Sequence, residues 1–244
     1  MNHPLRALYL LPCAALLLAL APTAHAQYSI SGEVWEGGTT TDVPALGSSV
    51  YSSTPTAAFT VSNSTISDLL NFYSANDGPG ATGGLSSFLT TGAGGTANGD
   101  TLTYLAGGTE GSAAANDSIN NDLFQFLGST TLTNGTYNFE HDDGLILYLT
   151  GNGLSNSAVI DAPGPTAAAA TSFSVCASGC NAVAGTYTFT LDYAEVDGPP
   201  AELLTNLPLT GPPPPGLTPE PSSLVLMGTG MLAFAGVVRR RLFA

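Results

Sequence analysis

Gly135-Thr136-Tyr137-Asn138-Phe139-Glu140-His141-Asp142-Asp143-Gly144-Leu145-Ile146-Leu147-Tyr148-Leu149 is the stretch on which the fold turns. Tyr137 and Phe139 alternate with polar neighbours, the two-residue period of a strand with one face in a core. Asp-Asp-Gly interrupts that strand, and an apolar run begins at once. Aspartate accepts turn hydrogen bonds and glycine takes positive φ, so the stretch predicts a tight hairpin. A second alternating run, Gly185 to Tyr193, puts Tyr187, Phe189, Leu191 and Tyr193 on one face. Further strands are expected at Tyr28 to Trp35, Ala57 to Val61, Leu102 to Leu105, Leu123 to Leu127, Leu145 to Thr150, Ser172 to Cys176 and Ala201 to Leu204. Short strands separated by turn residues predict an all-β fold, a sandwich or barrel of antiparallel strands. One short helix is expected at Thr65 to Tyr73, where Ile66, Leu69, Leu70 and Tyr73 have helical spacing, and it would cap one end. The glycine-rich runs Gly78 to Gly84 and Gly92 to Gly99 read as surface loops, since neither leads into a phosphate-binding frame.

Charge narrows the function. The chain carries a formal net charge of -14, yet residues 27–217 hold no Lys or Arg, and all but one of the 18 acidic residues fall there. Nucleic acid is excluded as a partner, because neutralising phosphates needs cations that this region lacks. The carboxylates either keep the surface hydrated or collect a divalent metal. His141 is the only histidine of the region, no G-x-S-x-G motif is present, and carboxylate pairs among Glu140, Glu195 and Glu202 are what any acidic domain contains by chance, so no enzyme is expected. Cys176 and Cys180 are expected to form a disulfide that staples a hairpin tip.

Both ends are addresses. Arg6, an apolar stretch from Ala7 to Leu20, and Ala24-His25-Ala26 have the layout of a signal peptide over residues 1–26, cut after Ala26 by signal peptidase. At the other end Pro208 and Pro212 to Pro215 mark a proline-rich linker over 207–217, a semi-rigid spacer. Residues 222–238 form an apolar segment of roughly 25 Å as a helix, just enough to span a membrane, and Arg239, Arg240 and Arg241 hold its end in the cytoplasm. Pro219-Glu220-Pro221, the apolar helix and the arginine cluster together resemble the PEP-CTERM sorting signal of Gram-negative bacteria that make exopolysaccharide. That resemblance covers residues 218–244 and implies recognition and cleavage near Pro219-Glu220-Pro221 by a membrane-embedded exosortase. The expected route is an exported, inner-membrane anchored precursor followed by the cell surface or extracellular matrix.

The intervening domain, placed at 27–206, resembles the β-barrel family named after the N-terminal fragment of protective antigen, also found in yeast flocculins and several glycosidases. The residues that carry the likeness are the opening strand Tyr28 to Trp35, Asp122-Leu123-Phe124-Gln125-Phe126, the Asp142-Asp143-Gly144 turn, Gly185-Thr186-Tyr187, and Asp192 to Leu203. The resemblance implies carbohydrate binding and, in the flocculin branch, a calcium ion held partly by Asp142 and Asp143, with further oxygens from candidates such as Asn152, Asn156 or Asp197. Calcium wants six to eight oxygens. Two readings of the aspartate pair stand, a metal site and a turn. The expectation is an exosortase-processed surface or matrix protein with a glycan-binding-like β domain, associated with exopolysaccharide or biofilm; the alternative is a structural matrix protein without a ligand. No threonine array of constant period suggests an ice-binding face.

Overall fold

The computed structural model describes residues 28–39, 41–63, 69–75, 84–107, 119, 121–196 and 200–210. The expected signal peptide with Ala24 and Ala26, the apolar segment 222–238 and the expected sorting residues lie outside them. Among the described residues no helix is long and apolar enough to cross a membrane.

Thirteen strands are described in two main sheets and a small hairpin, with one α-helix, α1 (Gly84–Thr90). In chain order the strands are β1 (Tyr28–Trp35), β2 (Ala57–Asn63), β3 (Phe72–Ser74), β4 (Thr91–Gly92), β5 (Thr96–Ala97), β6 (Thr101–Ala106), β7 (Asp122–Leu132), β8 (Gly135–His141), β9 (Leu145–Gly151), β10 (Leu154–Ala162), β11 (Ala169–Val175), β12 (Gly185–Glu195) and β13 (Ala201–Thr205). A seven-stranded sheet runs β10-β9-β12-β7-β1-β2-β6 and a four-stranded one runs β11-β8-β13-β3, with antiparallel neighbours throughout. Tyr187, Phe189, Leu191 and Tyr193 share the buried face of β12, as their spacing predicts, and meet Tyr137 and Phe139 of β8, Phe173 of β11 and Leu203 of β13 in one core. Of the sandwich or barrel expected from the alternation, the chain forms packed antiparallel sheets.

The hairpin expected at Asp142-Asp143-Gly144 is not one. β8 pairs with β11 and β13, while β9 pairs with β10 and β12, so the aspartates carry the chain from one sheet to the other. The left-handed conformation falls on Asp143 (φ 66°), not on Gly144. Glycine is required at 144 for another reason: a Cβ there would lie 2.2 Å from the Pro163 carbonyl oxygen.

The helix also moves. Of the expected helix, residues 64–68 lie outside the described residues, Leu69 and Leu70 form a turn, and Tyr73 sits in β3. The helix that does form, α1, begins at Gly84 and buries Leu85, Phe88 and Leu89, one face at helical spacing. Phe88 reaches Phe72 of the smaller sheet and Phe124 and Tyr193 of the larger, with ring centroids 5.4–5.9 Å apart, and so plugs the space between them. Gly92 to Gly99, read as a loop, contains the β4-β5 hairpin. β10 escaped the sequence reading because two register shifts against β9 break its alternation. Leu207 and Leu209, placed by sequence in the linker, are buried in the core, and Thr130 Oγ1 donates to the Pro208 carbonyl (2.7 Å). Cys176 and Cys180 are disulfide-bonded; closing so short a ring stabilises by about 2 kcal/mol on chain-entropy grounds.

A second apolar cluster lies on the other face of the large sheet, where Val43, Leu46, Val50 and Tyr51 cover Trp35, Leu123, Ile146, Tyr148, Ala194 and Val196. Trp35 is core: its Nε1 donates to the Ser53 carbonyl (3.3 Å) and its ring meets Tyr51 edge-on. On the same sheet Asp192 is fully buried, with Gln125 Nε2 donating to its Oδ1 (2.9 Å). Burial pushes the Asp192 carboxyl up from 3.8 to about 6, against the hydrogen bonds of Gln125 and Tyr51. The folded state therefore binds a proton between those values that the unfolded chain has lost, and stability falls as pH rises through that window. The expected loss is on the order of 3 kcal/mol. Urea denaturation from mildly acid to neutral pH should show Asp192→Asn gaining on the parent as pH rises; a pH-independent difference between the two would contradict this.

Candidate functional site

The inter-sheet corner is built from backbone hydrogen bonds to distant segments. The Asp142 N–H donates to the Glu202 carbonyl (2.9 Å), the Asp143 N–H to the Thr166 carbonyl (2.9 Å), and the Ala194 N–H to the Gly144 carbonyl (3.0 Å). The Asp143 carboxylate is wholly buried; Oδ1 accepts the Thr166 N–H (3.2 Å) and Oδ2 accepts the Val196 N–H. His141, also buried, donates from Nδ1 to the Asp143 carbonyl (2.6 Å), and burial pushes its imidazole below the ordinary value, which keeps it neutral. Tyr193 donates to Glu195 Oε2 (2.8 Å); burial first, then the charges of Glu195, Asp142 and Asp143, push its hydroxyl well up.

Asp142 and Asp143 are thus side by side at a buried corner near Glu195. Each oxygen of Asp143 already accepts a backbone N–H, and among the described residues no three His, Cys, Asp or Glu side chains gather in a metal-binding group. Asn152, just past β9, and Asn156, on β10 beside Thr150, stand at the far end of β9, roughly 20 Å along the strand at ~3.3 Å per residue, where they tie the β9-β10 hairpin to itself and to Thr186. Asp197 lies outside the described residues. Glu195 is interior on β12, whereas Glu140 is exposed on β8.

A different feature has the form of a ligand site. On the outer face of the four-stranded sheet an open groove of about 600 Å³ lies between β8 and β13 on one side and the β4-β5 hairpin on the other. That volume is within the ~300–1,000 Å³ typical of small-molecule sites. Asn71, Asn98, Asn138 and Asn206 line it with Thr205 and a single acid, Glu140. Two of the amides hold the walls in place. Asn71 Oδ1 accepts the Thr205 N–H (3.1 Å), and Asn98 Nδ2 donates to the carbonyls of Asn71 (3.2 Å) and Leu89 (3.4 Å). Gly94 (φ 71°) and Gly95 (φ 76°) supply the left-handed residues that fold the hairpin back. Thr205 Oγ1 donates to the Asn138 carbonyl (3.0 Å), while among the described residues the Asn138 side-chain amide, Asn206 Nδ2 and the Glu140 carboxylate have no hydrogen-bond partner and Asn206 Oδ1 accepts the Asn138 N–H (2.8 Å). Alternation along β8 is what points Asn138 and Glu140 outward while Tyr137, Phe139 and His141 are buried.

The model of the PEP-CTERM protein-sorting motif matches residues 217–241, a signal for export and exosortase sorting that takes in Pro219, Glu220, Pro221 and Arg239 to Arg241. No curated protein matches the chain. Among solved structures it is similar to the PA14 sugar-binding domain from an RTX adhesin, with 18% identity, 75% of this chain and 90% of that chain covered, and a TM-score of 0.44. It is also similar to the PA14 domain of the MpAFP antifreeze protein, with 18% identity, 79% and 86% covered, and a TM-score of 0.42.

If the Asp143 carboxylate is the clasp of the corner, Asp143→Ala leaves two backbone N–H groups without acceptors, at about 1–3 kcal/mol each. Denaturation of this variant should show a loss of roughly 2–6 kcal/mol whether calcium or a chelator is present. A loss seen only in the presence of calcium would contradict the clasp.

Proposed function

We propose that the chain is an exported binding protein whose β sandwich holds a hydroxyl-rich glycan in the asparagine-lined groove. The observation that carries this reading is the pairing of fixed amides, Asn71 and Asn98, with open ones, Asn138 and Asn206, around one cavity. An amide offers a donor and an acceptor on one planar group, which matches the paired hydroxyls of a pyranose ring. Walls fixed by internal hydrogen bonds reduce the ordering cost of binding. Tyr73, half-exposed on the same face, has its ring edge beside Gly95 of the hairpin and supplies apolar surface at the rim.

Delivery follows from the ends. In this reading signal peptidase cuts after Ala26, the segment 222–238 anchors the precursor in the inner membrane with Arg239 to Arg241 on the cytoplasmic side, and exosortase acts at Pro219-Glu220-Pro221. The released protein is then retained at the surface or in an exopolysaccharide or biofilm matrix by binding the polymer. Calcium at Asp142 and Asp143 is not required. A chelator-sensitive affinity abolished by Asp142→Asn would move the contact to the acidic corner. Binding of no oligosaccharide would leave a structural matrix protein.

Calorimetric titration of the full-length chain in detergent against an oligosaccharide panel tests the groove. Asn138→Ala removes an amide with no internal role and should weaken binding about five- to tenfold, the worth of one net hydrogen bond, with an unchanged near-ultraviolet circular dichroism spectrum. Unaltered affinity in this variant would overturn the groove as the site.

A further inference from the structure

We infer that the glycan taken by the groove carries free amino groups, as a partly de-N-acetylated hexosamine polymer does, and is not a uronic acid or otherwise anionic polymer. This rests on the reading of the groove as a glycan site. The polar lining is neutral except for Glu140, whose carboxylate faces the cavity without a partner among the described residues. Glu202 lies on the adjoining strand, where Leu204 pairs with Glu140 and places Glu202 two residues along. Burial, and then the charge of Glu140, push the Glu202 carboxyl above its ordinary value. Two like charges on neighbouring strands of one face disfavour each other. An ordinary protein relieves such a pair with Lys or Arg, and residues 27–217 contain neither. A cationic group on a ligand in the groove would relieve that repulsion.

An ammonium group fits that role. It donates three hydrogen bonds, so it meets the Glu140 carboxylate and an amide oxygen such as that of Asn138 together, while ring hydroxyls meet the remaining amides. An anionic polymer meets the opposite situation, because carboxylate, sulfate or phosphate groups would sit beside Glu140 in a region with no basic side chain.

The experiment titrates the full-length chain in detergent with three oligosaccharides of equal length: a glucosamine oligomer, its fully N-acetylated form and an oligogalacturonate, at mildly acid pH and in low and high salt. The glucosamine oligomer should bind about tenfold more tightly than the acetylated one, the worth of a charge-assisted hydrogen bond, and high salt should narrow the gap. Glu140→Gln should bring the two to parity by abolishing the preference for the glucosamine oligomer. Asn138→Ala should weaken both. Equal affinities in the parent, or a preference that survives Glu140→Gln, would overturn the amine and leave the groove standing. Tightest binding by the oligogalacturonate would overturn it too. Binding of none of the three would bring down the groove reading itself, and the inference with it.

Discussion

The rest of the structure depends on a chain crossing made at a buried carboxylate. Between β8 and β9 the polypeptide leaves one sheet and enters the other, and Asp143 secures the passage by accepting the backbone N–H groups of Thr166 and Val196. Those two groups belong to the connection between β10 and β11 and to the end of β12, so one side chain ties together segments distant in sequence. Gly144 allows the Pro163 carbonyl to approach where no Cβ would fit. With the crossing fixed, Tyr137 and Phe139 face inward against Leu203 and Phe173, and Asn138 and Glu140 are left facing out. The groove is in this sense the reverse side of the core.

How much of this is readable beforehand follows from the range of each interaction. The sandwich is legible because Tyr187, Phe189, Leu191 and Tyr193 alternate over an uninterrupted strand, and a two-residue period reports one buried face without knowledge of the partner. The corner is not legible, since Asp-Asp-Gly has the same local chemistry in a hairpin as in a passage between sheets. Only the partners Thr166 and Val196, 23 and 53 residues away, distinguish the two. α1 left a signal in Leu85, Phe88 and Leu89, but the glycines before it suggested a loop. The groove left none: Asn71, Asn98, Asn138 and Asn206 have no common spacing, and they meet only after β8, β13 and the β4-β5 hairpin assemble.

Electrostatics separates the two acidic regions of the domain. At the corner, burial and backbone donors account for Asp143 within the fold. On the outer face, Glu140 is open and Glu202 feels its charge, with no basic side chain in the domain to answer either. The same absence of cations that excludes nucleic acid underlies the proposal of a hydroxyl- and amine-bearing polymer as partner. The sorting motif at 217–241 is consistent with an encounter outside the cell.

The most direct test of the account is nuclear magnetic resonance mapping of a bound hexosamine oligosaccharide on the isotope-labelled chain, with and without chelator. The account predicts chemical-shift changes at the side-chain amides of Asn138, Asn206 and Asn98 that are indifferent to calcium, with the Thr166 and Val196 backbone signals unmoved. Changes concentrated at Asp142, Asp143 and Gly144 that vanish on chelation would contradict it.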